Sequence, residues 1–571
     1  MFPGSKKNAL RITNAFIGVV LLLWAVSIAG GQTPTPIGTP IPLPSATPDE
    51  APPVPPDFSR PMRPLPSNER VGVDISNQLS LTLQQAVELA LRNNNDIDAS
   101  RNTARISDLD LLGARGVYDP LLAAEGFYES LTTPTASAIG GAVNGAVTQN
   151  RLFGTGGVSG FTPFYGGQYS AVFNNARTTT SNTNSFLNPQ FPTSFVATYT
   201  QPLFRNLRID NNRRQIEIAR RNINLTDAQL RTRAVEVIAG VEQAYWDLVF
   251  ALRNLQVQDE TLRQAREQLA SNQRLVNAGV LAPIELAAAN SQIYTFEQNV
   301  FAAQEAITRA ENMLKMLMLP DRTSAEWSRP LMPLTPTAVE APQIGLEIAL
   351  TEALRNRPEL AQLDATAEIN RIEQRFFKDQ TKPQIDIVSS FTSSGLAGAE
   401  TPAAINPGTG ISRVPPNLVG GLLSSLGNLL AFDYPSYRVG LAISLPFGNR
   451  VAKANYGRTL VDADRITNTR AQAEQLIEAE VRNALQALRS VASRLESAIA
   501  ARAAAEDLYA SEERLFRGGT STFFLVAQRQ TELATARGRE AQARTDLSKA
   551  ISEFQRAIGS TLTANNVTVS K

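Results

Sequence analysis

The chain has 571 residues, with Lys+Arg 54 against Asp+Glu 53 and a formal net charge of +1, so its charge gives no hint of nucleic acid or of an acidic partner. Cys is 0 and His is 0, which rules out disulfides, thiol nucleophiles, imidazole bases and Cys/His metal sites. Carboxylate-only chemistry, such as the paired acids of a glycosidase, survives that test, but the acids here read as solvated helix faces. No catalytic residue, cofactor or metal site is expected.

The N-terminus carries the pattern of a secretory signal over residues 1–29. Lys6, Lys7 and Arg11 precede an apolar stretch from Ala15 to Ile28, and Ser27 and Ala29 are the small residues of a cleavage site. That apolar stretch is short for a bilayer span, which takes about 20 residues. Residues 30–70 are dominated by Pro and should form an extended or disordered spacer. No later stretch approaches a membrane-spanning helix, so any crossing of a membrane falls to strands.

From there the chain repeats itself. Ala90-Leu91-Arg92-Asn93-Asn94-Asn95-Asp96-Ile97 is answered by Ala353-Leu354-Arg355-Asn356-Arg357-Pro358-Glu359-Leu360. A turn around Gly279 is answered by one around Gly519. The first repeat is placed at 71–330 and the second at 345–560. A linker at 331–344 joins them, and a tail at 561–571 follows. Each repeat reads helix, strand pair, long helix, turn, helix.

The helical signal is strong. Val241, Leu248, Leu255, Leu262, Leu269 and Val276 form a seven-residue series, and Val481, Leu488 and Leu495 begin the matching one, which Arg502 interrupts before Tyr509 and Phe516. After each turn, Ile293 to Leu317 and Leu533 to Ala557 alternate steps of three and four. Spacing near 3.5 means helices supercoiling around neighbours. The pattern from about Leu207 to Val276 has no internal Pro and predicts a helix on the order of 100 Å long, a length that suits a conduit rather than a compact bundle. The helices predicted at 80–115 and 284–318 are short enough to lie end to end along it.

Strands are predicted near Tyr118–Ser130 and Phe191–Phe204 in the first repeat and at Pro383–Ser394 and Tyr434–Phe447 in the second. Each is near the 9–11 residues a tilted strand needs to cross lipid, and Tyr118, Phe204, Tyr434 and Tyr437 would suit interface girdles. The Gly/Ser/Thr/Asn-rich segments 131–190 and 395–433 read as external loops, with Gln168 to Thr180 a candidate further strand that leaves the first repeat's strand count open. Four strands cannot close a barrel. Their edges in lipid would need other copies of the chain, which would also gather the long helices into a ring. The reading is a duct. Its rival is a non-transporting coiled-coil scaffold of the periplasm or cell envelope, which accounts for the helices but not for the strands.

The residues Leu81-Thr82-Leu83-Gln84-Gln85-Ala86-Val87-Glu88-Leu89-Ala90-Leu91-Arg92-Asn93-Asn94, Thr200-Gln201-Pro202-Leu203-Phe204 and the two turns resemble the TolC-type outer-membrane efflux family over about 80–560. The resemblance implies a mainly α protein with membrane β structure: two tandem homologous halves, long coiled-coil helices forming an α-barrel, and four strands per chain in a trimeric twelve-stranded β-barrel. It further implies a homotrimer in outer-membrane lipid with its tunnel in the periplasm, docked on a periplasmic adaptor protein and an inner-membrane pump. The family's adaptor contacts fall on the helix tips, here Ala278, Gly279, Val280, Gly518, Gly519 and Thr520. The family's gate acids follow the turns. Glu285 stands at such a position, whereas the second repeat has Leu525 and Gln528 where acids are usual. Phe523, Phe524 and Leu525 are open to two readings, a constriction or packing at a helix start, and packing is the commoner use of apolar residues.

Overall fold

The computed structural model describes residues 63–569 except 68, 137, 143 and 339. The expected signal and nearly all of the expected spacer lie outside the described residues. The first half contains β1 (Leu79–Leu81), α1 (Leu83–Asn93), α2 (Asn95–Arg115), β2 (Leu121–Pro134), β3 (Ala146–Phe161), β4 (Gln168–Thr180), β5 (Leu187–Gln190), β6 (Thr193–Pro202), α3 (Asn211–Asn277) and α4 (Ile284–Met318). The second contains β7 (Leu331–Pro333), α5 (Leu346–Asn356), α6 (Pro358–Gln380), β8 (Gln384–Gly395), β9 (Gly398–Glu400), α7 (Leu422–Leu430), β10 (Tyr434–Ser444), α8 (Arg450–Arg517), α9 (Phe523–Ala557) and α10 (Thr561–Ala564).

Local chemistry sets the helix ends. Thr82 opens α1 with a reciprocal cap: its hydroxyl accepts from the Gln85 amide at 3.2 Å, and the Gln85 side chain accepts from the Thr82 amide at 3.0 Å. Asn94 closes α1 and caps α2, its side chain accepting from the Asp96 amide at 2.9 Å. Asp210 caps α3 through the Arg213 amide at 2.8 Å. From there α3 runs for 67 residues and α8 for 68, each on the order of 100 Å. The seven-residue series faces inward: Val241, Leu248 and Leu262 are fully buried, as are Val481 and Leu488.

Each half has its own apolar core. Tyr245, Leu248 and Leu314 centre the first, and Val481, Leu488 and Phe554 the second. The Tyr245 hydroxyl donates to the Leu81 carbonyl and accepts from the Thr335 amide, both at 3.0 Å, tying the start of the first half to the chain that leaves it. There β7 pairs in parallel with β1. The chain's end also returns to the first half, where Leu562, Val567 and Val569 pack against that core. At the other end, the tail of the Pro-rich stretch is laid along α4: Arg63 stacks over Tyr294, the Ser67 carbonyl accepts from Gln304, and Arg70 pairs with Glu311.

Arg502, an unexplained break in the sequence pattern, has a partner in the structure. It pairs with Glu540 of α9 at 2.8 Å and with Glu506 at 2.8 Å. Glu540 likewise breaks the α9 pattern, so the two breaks meet in one polar layer. Nearby, Glu506 pairs with Arg537 at 3.0 Å. At the corresponding level of the first half, Arg266 pairs with Glu297 at 2.7 Å, and the signs are exchanged.

The four expected strands are all present, as β2, β6, β8 and β10. The segment 131–190, read from sequence as an external loop with a candidate strand at Gln168 to Thr180, contributes two more long strands, β4 at that candidate and β3 beside it, along with the short β5. The sheet runs in the order β10-β8-β6-β4-β3-β2, antiparallel throughout. Its strands alternate between two faces. One carries Glu125, Glu129, Arg151, Asp386 and Arg438 among Ser, Thr and Asn; the other is apolar and uncharged along its middle, with Arg177 beyond the upper end. Tyr437 is exposed on the apolar face and Tyr434 is exposed on the charged face, where it cannot serve a lipid girdle, while Tyr118 sits half-buried at the base of the sheet. The second expected loop, 395–433, holds β9 and α7.

Candidate functional site

The two turns between long and short helices form the free ends of the helical part, and they are built alike. Helix α3 ends at Ala278, and Gly279 takes φ +72°. The Gly279 amide donates to the Val276 carbonyl at 2.9 Å and the Val280 amide to the Leu275 carbonyl at 2.9 Å. Helix α8 ends at Gly518, Gly519 takes φ +76°, and the same two bonds recur from Gly519 to Phe516 and from Thr520 to Leu515, both at 3.0 Å. This is the double bond pattern that a left-handed glycine makes possible at a helix end. Thr520 adds a bond from its hydroxyl to the Leu515 carbonyl at 3.0 Å.

The glycines are thus needed for their backbone. Around Gly279 and Gly519 a Cβ would meet nothing within 4 Å, so the space beside them is open. Gly518 is different, because it has ordinary right-handed helical geometry and a Cβ there would make only normal contacts. The fold does not require glycine at 518.

Past the turns the side chains divide. Phe523 is buried, its ring 6.4 Å from that of Phe516, whereas Phe524 is 70% exposed and Leu525 37%. The packing reading therefore holds for Phe523 and not for its two neighbours. Val280 and Ile284 are also exposed. Glu285 lies in the first turn of α4, where the helix N-terminus favours a carboxylate. It borders an open groove of about 450 Å³ between the starts of α4 and α9, shared with Ile284, Phe523 and Phe524. Leu525 and Gln528 do not line that groove. The Gln528 side chain donates to Glu532 at 3.0 Å, and Glu532 is neutralised by Arg529 at 2.7 Å. The hydrogen bonds from Arg529 and Gln528 hold the Glu532 carboxyl below the usual carboxylate range.

Polar contacts join the two halves near the tips, and sequence inspection missed them. The Gln292 side chain donates to the Ala527 carbonyl at 3.1 Å, linking α4 to α9. The Gln530 side chain donates to the Thr261 carbonyl at 3.3 Å, and Arg537 reaches Glu260 at 3.4 Å, linking α9 to α3. Buried Thr261, Gln530 and Asn272 lie in the tip half of the helices. Among the described residues no group of acidic side chains could hold a metal ion, and no helix is long and apolar enough to cross a membrane.

The family model for the outer membrane efflux protein matches residues 168–318, which hold β4, β6, α3, the first tip and α4. No curated protein matches. Among solved structures, the outer-membrane channel OprN is 19% identical, with TM-score 0.58 over 86% of this chain and 94% of its own. CusC is 15% identical with TM-score 0.59, covering 88% and 99%. The MtrE outer membrane channel of Neisseria gonorrhoeae, solved in its open state, is 16% identical with TM-score 0.56, covering 88% and 98%. At these identities the likeness is one of fold. Together with the family match over residues 168–318, the duplicated hairpins and the antiparallel sheet with one apolar face show the fold of these outer-membrane channels.

Proposed function

We propose that three copies of this chain assemble into a closed duct, the exit channel of a tripartite efflux or type I secretion system. The sheets lie in the outer membrane and the helices reach into the periplasm. The tips at Ala278, Gly279, Val280 and at Gly518, Gly519, Thr520 meet a periplasmic adaptor, through which the duct serves an inner-membrane pump. The observation that carries this reading is the tip itself. Two glycine-closed turns leave open space beside the backbone and hold Val280, Ile284 and Phe524 in water, a surface suited to the apolar ends of a partner's hairpins. Glu285, repeated by the three-fold axis, supplies a ring of three carboxylates at the narrow end. Leu525 and Gln528 add no charge to it.

Two measurements test this. The detergent-extracted protein should show the mass of three chains by light scattering corrected for detergent, and a soluble monomer that never enters membranes would sink the duct. Replacing Gly279 and Gly519 with Trp should abolish export while the three-chain mass persists. Normal export by assembled double mutants would remove the adaptor from the tips.

A further inference from the structure

We infer that the membrane barrel is built of eighteen strands, six from each copy, with the hairpin β3–β4 as part of its wall. The inference rests on the three-copy assembly proposed above and goes beyond it in the number of staves and the bore they enclose.

The hairpin spans the full height of the sheet. β3 has 16 residues and β4 has 13, and they pair without a break with β2 on one side and β6 on the other. Its turn returns to the helical end, where the Thr162 amide donates to the Gly167 carbonyl at 2.8 Å and the Gln201 side chain donates to the Tyr165 carbonyl at 2.8 Å. A loop folded aside would not return there. The order gives six strands alternating in direction, so β10 of one copy runs antiparallel to β2 of the next. Both edges are open, and lipid does not tolerate an unpaired edge. The occupant of each is therefore a second copy of this chain.

The apolar face carries a second, independent sign. The run between its outermost large apolar side chains covers 437–443 on β10, 385–391 on β8, 195–199 on β6, 169–173 on β4, 152–158 on β3 and 122–128 on β2. The register takes position 125, the middle of the run on β2, through 155, 174, 194 and 394 to 434 on β10. The run on β10 is centred about six residues away, at 440. The band thus climbs across the sheet in two shifts of about three residues, the first between β3 and β4 and the second between β6 and β8. Six residues of about 3.3 Å over five steps of about 4.8 Å is a slope of about 40°, inside the strand tilt of closed barrels.

The third sign is α7, which lies across the outer end of this face with its polarity reversed. Ser425 and Asn428 are buried: Ser425 meets the Thr193 hydroxyl at 2.8 Å, and Asn428 donates to the Leu396 carbonyl at 2.9 Å. Leu423 and Leu430 point away from the sheet and are 83% and 73% exposed. Leu429 is buried beside Ser425 and Asn428, but a helix that turns those two to the sheet and Leu423 and Leu430 outward suits lipid as its solvent. The apolar face is therefore the outer one, and the face with Glu125, Arg151 and Arg438 is the lumen. Barrel diameter grows roughly linearly with strand number, so eighteen staves give about 1.5 times the bore of twelve, in the range of aqueous porins.

Single-particle imaging of the protein in lipid nanodiscs tests this. A three-fold particle with eighteen staves at the membrane level is expected. A three-fold particle with twelve staves, and residues 146–180 folded away from the wall, would overturn the inference and leave the duct intact. A particle without three-fold symmetry would overturn both. Because the chain has no cysteine, probes add a second reading. A fluorophore on V158C or A171C should be quenched by brominated lipid, and one on T155C or S170C should not. Quenching at none of the four would take the hairpin out of the wall.

Discussion

Two buried carboxylates in the helices have opposite surroundings. Glu311 is sandwiched between Lys315 at 2.6 Å and Arg70, and the Lys315 ammonium also donates to the Trp327 carbonyl at 2.8 Å. Glu311 and Lys315 are both fully buried. Removing the acid strands two cations, so Glu311→Ala should lose about 3–5 kcal/mol of stability. Replacing Glu311 and Lys315 together by Leu and Met should cost clearly less. Urea unfolding in detergent measures both, and equal losses would mean that the ion pair is incidental. Among the described residues Glu242 has no cation beside it. Burial pushes its carboxyl above the usual range, opposed by hydrogen bonds from Asn565 and Ser552. A raised folded pKa means that the folded state holds the proton more tightly, so stability falls as pH rises from the ordinary carboxylate range through the raised value. At neutral pH Glu242 is therefore a cost. Glu242→Gln should raise the melting temperature at pH 7, with the gain shrinking near about pH 4. A lower melting temperature at pH 7 would show that the charged form is stabilised by something else.

At the scale of elements, the hairpin α8–α9 depends on its polar layer. Hydrogen bonds from Arg502 and Arg537 hold Glu506 below the usual carboxylate range. Burial pushes Glu540 up, but the bonds from Arg502 and Arg544 outweigh it. Lowered folded pKa values contribute stability above the ordinary carboxylate range that is lost as pH falls through the folded values. Hydrogen-exchange protection of residues 495–545 should therefore hold from neutral pH down to the ordinary carboxylate range of about 4 and drop below it. Protection that starts to fall at pH 6 would contradict this. The helices of this hairpin were legible in sequence because their apolar spacing repeats without reference to anything distant. The pairing of Arg502 with Glu540 was not, since each appeared only as a break in its own series. A signal was nevertheless present: the two stand at equal distances from the turn at Ser521, as hairpin partners must. β3 was missed, and β4 was read only as a candidate strand, for another reason. Gly154, Gly156 and Gly160 sit where β3 would present apolar side chains, and Tyr169, Ala171 and Phe173 alternate with residues of the charged face that are not all polar. Strands with lipid on one side and water on the other give a weak alternation, and it shows only once the register is known.

At the scale of the molecule, the duplication was plain from sequence, while the way the halves are held together was not. No sequence pattern announces that β7 pairs with β1, or that the last apolar residues return to the first core. Those contacts join positions more than 200 residues apart. Nor did the composition of the Pro-rich stretch show that its end lies against α4 through Arg63, Ser67 and Arg70. The tip glycines were legible because a left-handed turn has a strong residue preference. Their neighbours were less so: Phe523, Phe524 and Leu525 are consecutive and chemically alike, and only the path of the helix decides which one is buried.

Duplicated hairpins also pose a problem of recognition. Four long helical segments with nearly the same apolar spacing could exchange partners while the chain folds, and the proposed ring of three copies would multiply the choices. The exchanged charges answer it. Paired with its own partner, each long helix sets Arg266 against Glu297 or Glu506 against Arg537. If α3 took α9 in place of α4, Arg266 would face Arg537; if α8 took α4, Glu506 would face Glu297. Each wrong match sets like charges against each other in a partly dry seam, so the inverted pair labels each helix with the half to which it belongs.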